Sequence, residues 1–273
     1  MIVIVWLILI LMIIYLFAIM PRITPKPMHE FKGWYYAHRG FHDNKTNAPE
    51  NSKRAFALAV KNGYGIELDI QLTKDEKVVV FHDATLKRVC GVDAKVNSMT
   101  YEELQQFHLF DSNEKIPLFS EALQIIDGKV PLIMEIKMVD GKTRVCELAA
   151  KELEGYQGVY CMESFHPLAV KWFRKHNPEV CRGQLSMNFF KEECKKESYL
   201  ILVQYLLTNI LTRPDFIAYS HKGADNISRN LCRLFGATSV AWTIRTKEEL
   251  QRNQKKFDLF IFEGFQAKKH YEK

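Results

Sequence analysis

Ala37-His38-Arg39-Gly40, Pro49-Glu50-Asn51-Ser52, Ile66-Glu67-Leu68-Asp69 and Val80-Phe81-His82-Asp83 succeed one another within residues 37–83. Two histidines, two carboxylates and an arginine each stand at the end of a short apolar run. Trp34 to Ala37 and Gly65 to Leu72 have strand character, and Ser52 to Asn62 between them sets Ala55, Phe56, Leu58, Ala59 and Val60 on the inward side of a helix. Strand, helix, strand in that order is the unit from which a parallel sheet is built. Reactive side chains at the carboxyl ends of such strands are where an α/β barrel presents its chemistry.

The rhythm continues along the chain. Strands are predicted over Pro131 to Ile136, Val159 to Glu163, Cys181 to Ser186, Asp215 to Tyr219, Ser239 to Ile244 and Asp258 to Phe262, which with the first two makes eight. Helices are predicted over Ser120 to Ile126, Thr143 to Glu154 and Pro167 to Lys175. Eight such units in about 240 residues predict a single TIM (β/α)8 barrel. The short run Val78 to Phe81 stands outside the count. Residues 84–116, with a polar helix over Tyr101 to Phe107, interrupt the alternation as a small insertion after the second barrel strand. Phe189 to Leu211 is apolar but broken by Gln204, Thr208 and Asn209. It is read as a core-facing barrel helix, with an interfacial patch as the alternative.

Met1 to Met20 contains no charged side chain, and about 20 apolar residues in a helix match the thickness of a bilayer core. It lacks the basic start and the small-residue cleavage site of a signal peptide. Residues 1–20 are therefore expected to form a single transmembrane anchor. Pro21, Pro25 and Pro27 end that helix and predict a stiff, extended linker over residues 21–32, leaving residues 33–273 to the barrel. Arg22, Lys26 and Lys32 follow the apolar run and no cation precedes it, which predicts a single-pass cell-membrane protein with its barrel facing the cytoplasm.

Composition narrows the class further. Hydrophobic residues at 47% and charged residues at 26% describe a globular domain with an apolar addition. The net charge of +6 suits an anionic substrate or an anionic membrane surface. No arginine-rich tract or zinc-finger spacing argues for nucleic acid. The six cysteines form no Cys-x-x-Cys pair, and several lie in apolar runs as buried thiols would.

Glu67-x-Asp69 sets two carboxylates on the same side of one strand, where a divalent cation would relieve their repulsion. Glu135-x-Lys137 repeats the pattern on the next barrel strand and adds a third oxygen ligand and a cation for phosphate. His38 and His82 differ from the seven other histidines in ending apolar extended runs that face the carboxylates. They are candidates for a general base and a general acid, and Arg39 for a bidentate phosphate contact.

This ordered series, His38-Arg39-Gly40, Pro49-Glu50-Asn51-Ser52, Glu67-x-Asp69, His82-Asp83 and Glu135-x-Lys137, resembles the glycerophosphodiester phosphodiesterase family. The similarity extends over about residues 33–265, and Ser164-Phe165 and Trp242-Thr243 resemble the family's later strand ends. The resemblance implies a phospholipase-C-like barrel and one divalent cation, Ca2+ or Mg2+. It implies hydrolysis of a glycerophosphodiester to glycerol 3-phosphate and an alcohol. It carries over Glu67, Asp69 and Glu135 as metal ligands, His38 and His82 as the acid–base pair, and Arg39 and Lys137 as phosphate contacts. Asn51 becomes a site-organising residue and Trp242 a wall for the glycerol moiety. Two departures bear on specificity: Arg245 stands where the family often has asparagine, and Glu263 where its last strand usually ends in aspartate.

Two other readings are carried forward. One is lysophospholipase D-like or phospholipase C-like cleavage of membrane lipids, because the anchor brings the barrel to a bilayer. The other is a non-catalytic, membrane-tethered binding protein. Attack by water and attack by the substrate's own glycerol hydroxyl are both open at this point.

Overall fold

The computed structural model describes residues 1–26, 28–192, 197 and 199–268. Pro27, Cys194 and His270 therefore lie outside the described residues. Among the described residues nine strands form, β1 (Tyr35–Ala37), β2 (Gly65–Leu72), β3 (Val78–Val80), β4 (Leu132–Ile136), β5 (Tyr160–Ser164), β6 (Cys181–Ser186), β7 (Phe216–Ser220), β8 (Thr238–Ile244) and β9 (Leu259–Phe262). Eight of them close a parallel barrel in the order β1-β2-β4-β5-β6-β7-β8-β9, with β9 pairing back onto β1. The hairpin strand β3 runs antiparallel along β2, outside the closed ring. This is the TIM barrel that the strand count predicts.

Alternation along the strands divides the core in two. Ile66, Leu68 and Ile70 of β2 face the outer helices, while Gly65, Glu67 and Asp69 face the barrel axis. Lower in the barrel the axis is filled by Tyr36, Ile133, Cys161, Leu185, Phe216 and Val240. Gly183 makes room for this packing: a Cβ there would lie 2.1 Å from the Phe216 ring. Apolar packing thus seals the base and leaves the upper layer to polar residues.

The helices begin with the apolar α1 (Ile2–Ile19), then α2 (Lys53–Asn62), α3 (Lys87–Cys90) and α4 (Tyr101–Leu104). The Ser52 hydroxyl caps α2 by accepting from Ala55 N at 3.1 Å. The short α3 and α4 belong to the insertion, which has a small core of its own around Leu86, Val89, Val96, Leu104, Leu109 and Ile116. There α4 ends three residues before the predicted Phe107, because the chain turns to bury Leu109 and Gln105 Nε2 donates to Ile116 O at 2.8 Å. The outer ring continues with α5 (Phe119–Ile126), α6 (Arg144–Glu152) and α7 (Pro167–His176).

The expected core-facing helix between Phe189 and Leu211 is corrected by the structure. Two short helices form instead, α8 (Leu200–Gln204) and α9 (Asn209–Thr212), divided at Leu206, whose φ of 57° is left-handed. Val203, Leu206 and Asn209 are buried, whereas Ile201, Leu202, Tyr205, Ile210 and Leu211 are exposed. The Asn209 side chain is drawn inward to donate to Ile19 O, and the buried Gln204 backbone carbonyl accepts from Tyr219 OH and Asn226 Nδ2, which leaves the apolar residues that flank them facing outward; the interfacial alternative fits this surface. The ring is completed by α10 (Ile227–Leu234) and α11 (Lys247–Asn253).

Among the described residues one helix, α1, is long and apolar enough to cross a membrane, and residues 1–14 are exposed. Its last turn docks on the barrel. Asn209 Nδ2 donates to Ile19 O at 2.8 Å, and Arg213 Nη1 donates to Phe17 O at 2.9 Å and Met20 O at 2.8 Å. The segment that follows is held at the base rather than spanning free space. Arg22 N donates to Pro214 O at 3.0 Å, Lys26 N donates to Asp215 Oδ1 at 2.9 Å, and Met28 and Phe31 are buried against the barrel floor. Asp215 is itself fully buried between the Arg22 and Arg182 guanidinium groups, at 3.3 and 3.6 Å. Replacing Asp215 by alanine leaves the buried Arg182 without a counter-charge and is expected to cost about 3 kcal/mol in chemical denaturation. An unchanged midpoint would show that this junction contributes nothing to the fold.

Candidate active site

The parallel register aligns three carboxylates on neighbouring strands: Asp69 of β2 opposes Glu135 of β4, which opposes Glu163 of β5. Glu67 lies two residues below Asp69 on the same face. One oxygen from each of Glu67, Asp69 and Glu135 lies within 4.8 Å of the others, and all three residues are buried. Burial, and then the charges of Asp69 and Glu135, push the Glu67 carboxyl well above its usual range. Burial opposes ionisation of Asp69 too, but Lys137, His82 and Arg39 outweigh it and hold that carboxyl well below. Lys137 Nζ lies 3.0 Å from Asp69 Oδ1 and 2.5 Å from Glu135 Oε1. An all-oxygen donor set with excess negative charge fits a hard divalent cation.

Arg39 turns over this cluster on a left-handed backbone, φ 55°, and Asn51 adopts the same region at φ 56°. Arg39 N donates to Glu67 Oε2 at 2.9 Å, and its guanidinium meets Glu50 Oε1 at 2.6 Å and Asp69 Oδ2 at 3.3 Å. Asn51 Nδ2 donates to Asp69 Oδ2 at 2.9 Å. Gly40 follows at φ 82°, and a Cβ there would lie 2.9 Å from the α2 backbone at Ala55. The glycine lets the loop close down on the helix and so aims Arg39.

The imidazoles flank the acidic cluster, each held by a carboxylate. His38 Nδ1 is 2.5 Å from Glu263 Oε2, and its Nε2 is 3.9 Å from Glu67 Oε2. Burial, reinforced by the Arg39 charge, lowers the His38 pKa to about 4 against the opposing pull of Glu263. His82 Nδ1 is 2.6 Å from Asp83 Oδ1, and Arg88 Nε donates to Asp83 Oδ2 at 2.7 Å. Burial would raise the Asp83 carboxyl, but the His82 and Arg88 hydrogen bonds keep it well below the usual range. Gln71 Nε2 fixes this loop by donating to Phe81 O at 2.8 Å and Asp83 O at 2.9 Å.

The residues His38, Arg39, Asn51, Glu67, Asp69, His82, Glu135 and Lys137 gather at this mouth, and Trp242 of β8 sets its ring edge-on to Phe165 at 5.5 Å, beside the cavity that Phe165 lines with His82 and Lys137. Four further participants carried no assigned role in the sequence reading. Glu50 was visible only as part of Pro49-Glu50-Asn51-Ser52; the Arg88 hydrogen bonds and the charges of Arg39 and Arg88 overcome its burial and hold it at about 2. Glu263 was visible only as a departure at the end of the last strand, and Arg245, the other departure, binds it at 2.7 Å. Arg88 lies in the insertion, where no local pattern marks it. Buried Glu163 is raised well above the carboxylate range by burial and then by Glu135.

A closed parallel barrel with an acidic cluster, two cationic side chains and two carboxylate-held imidazoles at its carboxyl-end mouth defines a phosphodiesterase barrel. The model of the glycerophosphoryl diester phosphodiesterase family matches residues 38–255, and the chain belongs to that family; it is a hydrolase. A glycerophosphodiester phosphodiesterase of Caldanaerobacter subterraneus subsp. tengcongensis is 31% identical over 232 residues, covering 79% of this chain and 87% of that protein. A lysophospholipase D of Homo sapiens is 39% identical over 90 residues, covering 32% of this chain and 27% of that one. Among solved structures, an Oleispira antarctica phosphodiesterase in complex with the product sn-glycerol-3-phosphate superposes with a TM-score of 0.70 at 21% identity, covering 85% and 93% of the two chains.

Ca2+ or Mg2+ in excess is expected to raise the melting temperature, with about 2.7 kcal/mol of stabilisation at a hundred times Kd. Glu67→Gln should remove most of that response. Equal melting in chelator and in either cation would reject the acidic cluster as a metal site.

Proposed function

We propose that the protein hydrolyses glycerophosphodiesters to glycerol 3-phosphate and an alcohol, with His38 and His82 as the acid–base pair and Glu67, Asp69 and Glu135 as the ligands of one Ca2+ or Mg2+. The observation that carries this reading is the pair of imidazoles, each tied to a carboxylate through Nδ1, on either side of three clustered carboxylates. Bound there, the cation would offset charge on the phosphoryl oxygens. Arg39 and Lys137 orient the phosphate from two sides, and Asn51 holds Asp69 in place.

His38 is the base. With its pKa near 4 it is neutral at physiological pH, and Glu263 fixes the ring by accepting at Nδ1 so that Nε2 faces the acidic cluster. His82 delivers a proton to the leaving alcohol oxygen, its ring aligned by Asp83 and, through Asp83, by Arg88. Trp242 walls the glycerol moiety.

We also propose that residues 1–20 anchor the chain in a cell membrane, with residues 21–32 joining the anchor to a barrel domain over 33–273 that faces the cytoplasm. The uncharged α1, the cations Arg22, Lys26 and Lys32 beyond it, and the free cysteines among the described residues support this arrangement.

His38→Ala and His82→Ala should each lower kcat by about 10²–10⁴-fold while leaving cation binding intact. Turnover at the native rate in either variant would refute the pairing. On acidification, His38 must protonate before it ceases to act as base, so the acidic limb of kcat/KM should fall near pH 4 rather than near the ordinary histidine value. A limb at about 6.5 would reject His38 as the base. Glu263→Gln should lower kcat by about 10–100-fold with little change in KM, a split that a purely structural role for Glu263 would not produce.

A further inference from the structure

At the amino end of the barrel, opposite the catalytic mouth, four arginines converge on one cavity. Arg182 lies near the start of β6, Arg213 just before β7, Arg174 in the last turn of α7, and Arg22 after α1. Strand starts and the ends of the outer helices mark the base of such a barrel. The four line a space of about 550 Å3 whose walls, among the described residues, hold no carboxylate. A space of that size is ample for a small molecule.

Arginine stays charged in a protein, and here the charge is poorly matched. Among the described residues Asp215 is the only carboxylate that pairs with any of the four, with Arg22 at 3.3 Å and Arg182 at 3.6 Å. Its oxygens also accept from Lys26 N at 2.9 Å and Arg182 N at 3.2 Å. Arg182 is 3% exposed, and its Nη1 is buried without a hydrogen-bond partner. Burial, opposed by Asp215 but reinforced by Arg22 and Arg174, lowers the Arg182 pKa, and burial with Arg174 lowers that of Arg213.

Backbone carbonyls take up some of the donors. Arg174 Nη1 donates to Leu211 O at 2.9 Å, Arg182 Nη2 to Arg213 O at 2.9 Å, and Arg213 Nη1 to Phe17 O at 2.9 Å and Met20 O at 2.8 Å. A carbonyl brings no net charge, so the excess remains. Among the described residues these contacts also leave Nη2 of Arg22, Arg174 and Arg213 unbonded. Several guanidinium forks around one space match the oxygens of a phosphate. Phe17, Met20 and Ile23 give the same cavity an apolar side.

We propose that this cavity binds a phosphate monoester, its phosphate held by Arg22, Arg174 and Arg213 and its carbon part lying against Phe17, Met20 and Ile23. Four cations facing one carboxylate favour a ligand that carries about two negative charges, as a monoester does, over a singly charged diester or carboxylate. Bound there, the ligand joins the end of α1 to α7 and to the chain entering β7. A soluble phosphate ester and a lipid head group present the same chemistry. The site is remote from the mouth and stands independently of the reaction proposed there.

The test uses the full chain in dodecyl maltoside with chelator, so that no divalent cation recruits an anion to the acidic cluster. Isothermal titration calorimetry compares butyl phosphate, dioctanoyl phosphatidic acid and dioctanoyl phosphatidylcholine. The expected result is saturable binding of a monoester to one site, weakened about tenfold or more by Arg174→Gln and, independently, by Arg213→Gln. Arg174 is exposed, so the first variant keeps the fold, and Arg174→Lys should recover part of the affinity. Phosphatidic acid binding at least tenfold tighter than butyl phosphate assigns a lipid head group, and a smaller difference assigns a soluble ester. Absence of monoester binding, equal affinity for phosphatidylcholine, or affinity unchanged in both glutamine variants overturns the proposal and leaves the arginines as caps of helix carbonyls.

Discussion

The structure turns on the burial of like charges. Glu67, Asp69, Glu135 and Glu163 all face the barrel axis at its carboxyl end, and all are buried. Carboxylates so placed cannot all ionise without compensation, because the low-polarity interior magnifies their repulsion. Lys137 and Arg39 supply part of the compensation from within the chain, so that Asp69 is held ionised while Glu67 and Glu163 are driven toward their protonated forms. The imbalance that remains is what suits the cluster to a divalent cation. The apolar packing beneath, with Phe216 seated over Gly183 and Phe31 closing the floor, keeps water from reaching the cluster from below.

Around that cluster the polar residues form a connected frame rather than separate contacts. Glu50 ties Arg39 to Arg88, and Arg88 ties Glu50 to Asp83, so the loop after β1 and the loop after β3 are braced against one another. The insertion earns its place through Arg88: its small core fixes α3, and α3 delivers the guanidinium. On the opposite side Arg245 steadies Glu263, which steadies His38. The two departures from the family pattern therefore meet in one ion pair, and they bear on the positioning of an imidazole more directly than on the choice of head group.

The fold and the centre of the site were legible because they depend on local order. Period-two alternation placed Glu67 and Asp69 on one face of β2, and the strand count closed the barrel with the Val78 run outside it. The region from Phe189 to Leu211 was read wrongly because periodicity there is weak. The hydrogen bonds from Asn209 Nδ2 to Ile19 O and from Tyr219 OH to the Gln204 carbonyl, and not the apolar content, decide which residues turn inward. Arg88, Glu163 and Glu263 had no role assigned because each acquires its meaning from a partner far along the chain.

Sequence alone determined the repeated strand–helix units, the apolar N-terminal helix and the identity of the residues at the first strand ends, since these follow from side-chain spacing and hydrophobic length. Only the tertiary structure decided that Glu263 meets His38 across 225 residues, that Asp69, Glu135 and Glu163 share one level, and that Tyr15 of α1 meets Ser228 of α10. Those facts follow from barrel closure and strand register, which bring together residues that no local pattern relates.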